Sequence, residues 1–586
     1  MSELVLTIAT EDSETRPKAT VPNLLPGPSL IDLFLREQQQ LTAVDRFAQW
    51  HEQGRGDAYA DGGPAPAIRY QHLMPASPPR PGEQYAFEVD LDACSGCKAC
   101  VTACHTLNGL DPTETWRDVG LLHGGSPELP VLQHVTAACH HCLDPACMNG
   151  CPVRAYEKDP ATGIVRHLDD QCIGCQYCVL ACPYEVPKYN ARLGIVRKCD
   201  MCSSRLAVGE APACVQACPN QAIRIAIVRP HEVIENCETG AFLPGAPEPS
   251  ITLPTTHYKT ARAFPRNMLP ADYYSVRPEH AHRPLVLMLV LTQLSVGAFL
   301  IGLLLQLLAD PHVLSGIAHV HAVSALLFGL LALGASIFHL GRPRYAFRAV
   351  IGLRTSWLSR EIVAFGVFAV LAAAYATTGL VSESSESLRH IHAWLGTAVL
   401  AAGLCGLVCS VMIYQCTQRS FWNGPATGLK FLLTTLTLGI ATTLLTSVLA
   451  AGCSVTLTVP RVMTEFGGLL LRCLIGVSVA KLLFEAAFLR HLRDKQNTLT
   501  KRSAMLMTGD LCRVTGSRFG FGLAGGVLLP GLLLVCSPAG DANAQGVLVG
   551  ILVAGQFAAC VAGELLERYL FFAAAVAPRM PGRLVT

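Results

Sequence analysis

Sixteen cysteines between Cys94 and Cys218 fall into four groups of four, and no other feature restricts this chain so strongly. Cys94, Cys97, Cys100 and Cys104 are spaced C-x2-C-x2-C-x3-C, and Cys172, Cys175, Cys178 and Cys182 repeat that spacing ahead of Pro183. Cys139, Cys142, Cys147 and Cys151 follow C-x2-C-x4-C-x3-C, while Cys199, Cys202, Cys214 and Cys218 follow C-x2-C-x11-C-x3-C, each group again ending in Cys-Pro. A short C-x2-C-x2-C loop wraps three thiolates around one iron–sulfur cubane, and the fourth cysteine, carried past a turn, ligates the other cluster of a pair. Four quartets therefore predict four [4Fe-4S] clusters with all sixteen cysteines as ligands. Structural zinc needs two C-x2-C pairs and neither a third close cysteine nor a trailing Cys-Pro. Disulfides call for an exported chain, and no hydrophobic or twin-Arg signal is read in the N-terminal residues.

The two halves of the chain differ in chemistry. Of 586 residues 51% are hydrophobic, and a mean hydropathy of +0.37 is too high for an ordinary soluble protein. The long apolar runs lie after residue 284, whereas the sixteen cysteines lie before residue 219. Residues 1–82 carry one helical pattern through Leu30, Ile31, Phe34, Leu35, Leu41, Val44, Phe47 and Trp50, then a Gly/Pro-rich linker. That amphipathic helix either packs on the cysteine domain or docks a partner subunit. Residues 83–228 hold the cysteine groups, and the alternating segments Tyr85–Leu91, Val131–Val135, Gly163–Leu168 and Ala222–Val228 predict short strands. Residues 229–283 form a Pro-rich connector. Residues 284–586 contain eight apolar spans, near 284–308, 315–339, 361–380, 391–414, 429–450, 467–489, 519–537 and 546–565. The predicted fold class is an α+β tandem bis-[4Fe-4S] ferredoxin-like domain followed by an all-α membrane bundle of eight transmembrane helices.

A formal net charge of +2 gives no basis for binding nucleic acid. The distribution of charge is more informative: more than twenty Lys and Arg lie in the loops on the side of the N-terminus, against two on the other. By the positive-inside rule both termini and the cysteine domain face the cytoplasm, across the inner membrane. The other nine of the 25 cysteines lie mostly in or beside apolar helices and read as small buried hydrophobes.

Ionisable residues at bilayer depth are costly and so are candidates for function. His339, in His339-Leu-Gly-Arg342-Pro, ends the second span, and Glu361, in Ser356-Trp-Leu-Ser-Arg-Glu361, opens the third. Such a pair either binds a quinone head group and exchanges its protons or anchors an interfacial loop. Lys481 and Glu485, spaced i, i+4, are expected to pair with each other, and Glu564, Glu567 and Arg568 to snorkel from the eighth span. His319, His321, His390 and His392 raise a b-type haem as an alternative, and an ion-translocating bundle is another. Gly520-x-Gly522-x-x-Gly525 starts a span and predicts close helix packing, not dinucleotide binding.

The order and spacing of the four groups closely resemble the iron–sulfur subunit of dimethyl sulfoxide reductase-type molybdoenzymes. The motifs around His339 and Glu361, with Gly563-Glu-Leu-Leu-Glu-Arg-Tyr-Leu-Phe-Phe, resemble the membrane anchor of the same enzymes, so the chain resembles a fusion of the two. The resemblance implies crossed ligation: Cys94, Cys97 and Cys100 with Cys218; Cys199, Cys202 and Cys214 with Cys104; Cys139, Cys142 and Cys147 with Cys182; Cys172, Cys175 and Cys178 with Cys151. In some relatives the position of Cys175 is replaced and a three-iron cluster results. The resemblance further implies a menaquinone or ubiquinone site that includes His339, Arg342 and Glu361, and no haem. The chain would then be a non-catalytic, electron-transferring subunit working with a separate molybdopterin-containing catalytic subunit.

Overall fold

The computed structural model describes residues 70–582 except 241, 381–384, 455–456 and 537–541, with five positions of the preceding segment. Contacts divide the chain into Met1–Ala65 and Pro66–Thr586. Of the helix expected between Leu30 and Trp50, only Ile31, Leu33, Leu35, Arg36 and Asp45 are among the described residues, and these are helical; the rest lies outside them.

In the second unit the strands are β1 (Gln84–Asp90), β2 (Asp118–Gly125), β3 (Pro130–Ala137), β4 (Tyr156–Lys158), β5 (Val165–His167), β6 (Lys188–Asn190), β7 (Ile195–Arg197), β8 (Ile223–Val228), β9 (His257–Lys259) and β10 (Leu269–Pro270). The four expected segments fall on β1, β3, β5 and β8. Antiparallel pairing runs from Gln84 opposite Val228 to Val89 opposite Ile223, and β9 joins β1 in parallel. Because β1 precedes the first cysteine group and β8 follows the fourth, this sheet closes the domain, with the second and third groups inserted between them. β2 hides from sequence reading because glycines dilute its alternation. Those glycines admit other backbones: a Cβ on Gly120 would lie 2.1 Å from Pro581 O, where the C-terminal residues run along the strand.

The cysteine loops share one backbone device. The residue before the second cysteine of each group has positive φ: Gly96 (73°), His141 (42°), Gly174 (70°) and Met201 (61°). A left-handed residue there turns the chain sharply, so that amides face the sulfurs. Gly174 N donates to Cys172 Sγ at 3.4 Å and Met201 N to Cys199 Sγ at 3.4 Å. Short helices follow: α1 (Ala99–Leu107), α2 (Ala146–Asn149), α3 (Tyr177–Ala181), α4 (Ser203–Ala207) and α5 (Ala213–Gln216), then α6 (Pro230–Glu238) in the connector.

Among the described residues eight helices are long and apolar enough to cross a membrane: α7 (Arg283–Leu308), α8 (Pro311–Ile337), α9 (Trp357–Gly379), α10 (Glu386–Gln415), α11 (Gly424–Cys453), α12 (Val459–Arg493), α14 (Cys512–Cys536) and α15, whose apolar span is Gly546–Ala573. The short α13 (Leu499–Thr508) lies between the sixth and seventh. Even α9, the shortest, spans about 35 Å against a hydrocarbon core of about 30 Å. Prolines in the first turn start α7, α8, α11 and α12, where no amide donor is needed. Single π turns interrupt α12 at Met463–Gly467 and α14 at Ala524–Leu528. The bundle is built around α7 and α11, in each of which 72% of the most apolar stretch is buried. Their axes approach through Gly297 and Gly439: a Cβ on Gly297 would lie 2.0 Å from Thr435 O. No side-chain movement relieves a clash with a neighbouring backbone. Gly297→Leu is therefore expected to destabilise the detergent-solubilised protein by about 3 kcal/mol in thermal unfolding, whereas Gly334→Leu, with open space at its Cβ, leaves it unchanged.

Candidate functional site

Burial raises eleven of the sixteen quartet thiols, and a neighbouring cysteine raises each of them further. Those neighbours draw four gatherings. Cys94 and Cys100 lie by Cys97 and Cys218. Cys104 lies with Cys199, Cys202 and Cys214. Cys142 and Cys147 lie with Cys139 and Cys182. Cys175 and Cys178 lie with Cys151 and Cys172. Cys100 also lies by Cys214 and Cys199 by Cys139, so adjacent gatherings adjoin one another. No three His, Cys, Asp or Glu side chains among the described residues are set to hold a single metal ion. Soft thiolates spread around a buried centre, with amides aimed at the sulfurs, fit the corners of an iron–sulfur core. Ala155 N and Ala222 N add bonds of 3.2 Å each to Cys151 and Cys218.

Residues 338–356, between α8 and α9, leave the bundle and lie on the cysteine domain. Gly341 N donates to Gly174 O at 3.3 Å, Arg342 N to Ile173 O at 3.0 Å and Gly352 N to Pro152 O at 2.7 Å. Arg342 Nε and Nη1 add bonds to Leu193 O (3.3 Å) and Asp169 O (2.8 Å), and Arg348 Nη1 one to Asp170 O (2.8 Å). The glycines make this approach possible: a Cβ on Gly341 would lie 2.1 Å from Gly194 O. From the other side, Tyr177, between Cys175 and Cys178, donates its hydroxyl to Ile413 O of α10 at 2.9 Å. Tyr177, Trp357 and Val286 share one hydrophobic cluster. The loops of Cys151, Cys172 and Cys175 are therefore the part of the cysteine domain seated on the bundle.

His339 and Glu361 flank this docked loop. The Nδ1 of His339 is bonded to Ser336 O, a carbonyl that only accepts, so Nδ1 carries the proton and Nε2 remains an acceptor. Burial lowers the imidazole to about 4, which keeps it neutral near pH 7. Glu361 is 3% exposed and accepts a bond from Ser410 Oγ of α10. Burial raises the Tyr177 hydroxyl, and Cys416, Cys175 and Glu361 nearby raise it further. Among the described residues no hydrogen bond joins His339 to Glu361; what they share is the loop. Arg342, grouped with them by motif, is engaged with the cysteine domain and holds that loop in place.

Elsewhere in the bundle the structure corrects one expectation and enlarges another. Glu564, Glu567 and Arg568 are 2%, 4% and 0% exposed, so they do not snorkel. The expected ion pair of Lys481 with Glu485 is present at 3.9 Å, and Lys481 also bonds Glu564 and Thr434. Glu485 also takes Nε and Nη2 of Arg518 at 2.9 and 2.8 Å, and Arg518 reaches Glu564 at 3.1 Å. Buried ions must be paired, and these come from three helices whose juxtaposition no local spacing announces. A hint was present in Glu564 and Arg568, four apart on one face of α15. His321 engages both ring nitrogens, with Thr446 Oγ1 (2.8 Å) and Ala298 O (2.9 Å), so it ties helices together and has no free nitrogen for haem iron. His392 stacks on Tyr375 with ring centroids 4.1 Å apart. The Gly520 motif serves packing as expected: a Cβ on Gly525 would lie 2.7 Å from Cys560 N of α15.

Comparison with known proteins agrees with both halves. Residues 131–227 match a 4Fe-4S dicluster domain, and residues 279–518 match the dimethyl sulfoxide reductase anchor subunit. One polypeptide of the anaerobic dimethyl sulfoxide reductase of Haemophilus influenzae is 36% identical over 181 residues, covering 29% of this chain and 87% of that protein. The probable anaerobic dimethyl sulfoxide reductase component YnfG of Escherichia coli K12 is 40% identical over 148 residues, 24% of this chain and 72% of that protein. The thiosulfate reductase electron transfer subunit PhsB of Salmonella typhi is 38% identical over 144 residues, 24% of this chain and 74% of that protein. This protein belongs to the dimethyl sulfoxide reductase family, as an electron-transferring iron–sulfur subunit and a multi-pass membrane anchor subunit joined in one polypeptide.

Proposed function

We propose that this chain relays electrons between a quinone in the inner membrane and a separate molybdopterin-containing catalytic subunit on the cytoplasmic side, through four [4Fe-4S] clusters. The ligand sets are Cys94, Cys97, Cys100 and Cys218; Cys104, Cys199, Cys202 and Cys214; Cys139, Cys142, Cys147 and Cys182; and Cys151, Cys172, Cys175 and Cys178. Each cluster, when bound, supplies one-electron redox chemistry. The observation that carries the reading is the docked loop, which joins His339 and Glu361 to the loops of Cys151, Cys172 and Cys175 by direct backbone hydrogen bonds.

The residues then divide the work. Nε2 of neutral His339 accepts one proton of the quinol, and Glu361, held by Ser410, accepts the other. Arg342 fixes the loop against the cysteine domain. Buried apolar side chains around the quartets exclude water, so that charge on one centre is felt by the next. Cys97 is the exposed member of the quartets, and its loop marks the end that meets the catalytic partner. The excess of Lys and Arg in the loops on the side of the N-terminus supports a cytoplasmic placement for that end.

His339→Ala and Glu361→Ala are each expected to slow quinol-dependent reduction of the clusters by about a hundredfold, with reduction by dithionite unchanged. Stopped-flow absorbance of the purified chain measures both, and wild-type quinol rates in both variants would refute the site. Removing one thiol should leave a three-iron core in its quartet, so Cys175→Ala is expected to add a three-iron signal to the EPR spectrum of the oxidised protein. An unchanged spectrum would remove Cys175 from the ligand set.

A further inference from the structure

Two cations are buried inside the cysteine domain, each set between two of the quartets. Lys198 is 2% exposed. Its Nζ donates to Val165 O, to Cys199 O at 2.8 Å and to Cys139 Sγ at 3.5 Å. It therefore bridges the quartet of Cys139 and the quartet of Cys199. Arg117, also 2% exposed, neighbours Cys214, Cys100, Cys199 and Cys104. Its Nη1 donates to Thr136 Oγ1 at 3.2 Å, itself 3.6 Å from Cys100 Sγ, and its guanidinium lies 4.5 Å from the Phe87 ring centroid. Arg117 Nη2 is buried with no hydrogen-bond partner among the described residues.

Burying an ammonium or a guanidinium away from water costs several kcal/mol unless opposite charge lies close by. The bonds recorded for Lys198 and Arg117 go to carbonyls, a hydroxyl and a sulfur, not to carboxylates. A cubane core held by four thiolates carries roughly two negative charges when oxidised and three when reduced. That is the counter-charge these positions suit, and its attraction for a fixed cation is greater in the reduced state. A nearby buried cation therefore raises a cluster's reduction potential.

We propose that Lys198 and Arg117 are positioning residues that set the potentials along the wire. Lys198 raises the clusters of Cys139/Cys142/Cys147/Cys182 and Cys104/Cys199/Cys202/Cys214. Arg117 raises the latter and the cluster of Cys94/Cys97/Cys100/Cys218. The cluster of Cys104/Cys199/Cys202/Cys214, flanked by both cations, is the most positive of the four. Each transfer moves one electron, oxidising one cluster as it reduces the next, with no bond made or broken.

This inference rests on the four-cluster reading, and the test separates the two. EPR-monitored potentiometric titration of the purified full-length chain is run beside iron analysis. In the unmodified protein, fewer than four titrating clusters would overturn the four-cluster reading itself. In Lys198→Met, with four clusters retained, two midpoints shift to lower potential and two stay, while Lys198→Arg keeps wild-type values. Arg117→Gln shifts a different pair that shares one member with the first, and it decides the matter if Lys198→Met fails to assemble. Unshifted midpoints in a variant that retains four clusters would overturn the proposal, as would a shift of all four together.

Discussion

Three backbone hydrogen bonds, from Gly341, Arg342 and Gly352 to Gly174, Ile173 and Pro152, join the soluble and membrane halves of this chain. Backbone contacts at that distance tolerate no intervening side chain, which is why glycine stands at 174, 194 and 341. They fix which quartet faces the bundle and bring the loop between His339 and Glu361 against it. A second tie comes from the C-terminus, where Gly582 N donates to Asp272 Oδ1 at 2.9 Å and Leu121 N to Gly582 O at 2.9 Å. Joining two subunits' worth of structure in one polypeptide makes this seam an internal packing problem, with no subunit association to be maintained.

The halves handle buried charge in opposite ways. In the bundle, Lys481, Glu485, Arg518 and Glu564 neutralise one another through side-chain pairs. These pairs tie α12, α14 and α15 together where apolar surface alone gives little specificity. In the cysteine domain, Lys198 and Arg117 lie among thiols and carbonyls, an arrangement that suits a resident anionic centre. The same physics of desolvation thus builds a structural lattice in one place and, on the reading proposed, tunes a redox chain in the other.

Much of this was legible in the sequence, for physical reasons that differ by element. Cysteine ligation of a cubane demands short fixed spacings, so the quartets announce themselves in one dimension. A bilayer demands long apolar runs, so the eight spans do as well. The small strands β4, β6 and β7 are three residues each and lack the longer alternating flank that marks β5 within Gly163–Leu168. Lys198 and Arg117 look like ordinary surface cations until β5 and the Cys139 loop close on one and β1 and β3 on the other. The burial of Glu564, Glu567 and Arg568 depends on which helices become neighbours, and tertiary packing alone determines that. Likewise, Arg342 sits in a motif beside His339, but only the fold shows its guanidinium reaching Leu193 and Asp169.

The central claim is that electrons pass between the quinone and the wire at the seam. Rapid-freeze EPR of the oxidised protein mixed with quinol tests it most directly, with the cluster of Cys151, Cys172, Cys175 and Cys178 identified through Cys175→Ala. The account predicts that this cluster's reduced signal appears first and that the signals of the others follow. First reduction at the cluster of Cys94, Cys97, Cys100 and Cys218 would contradict it.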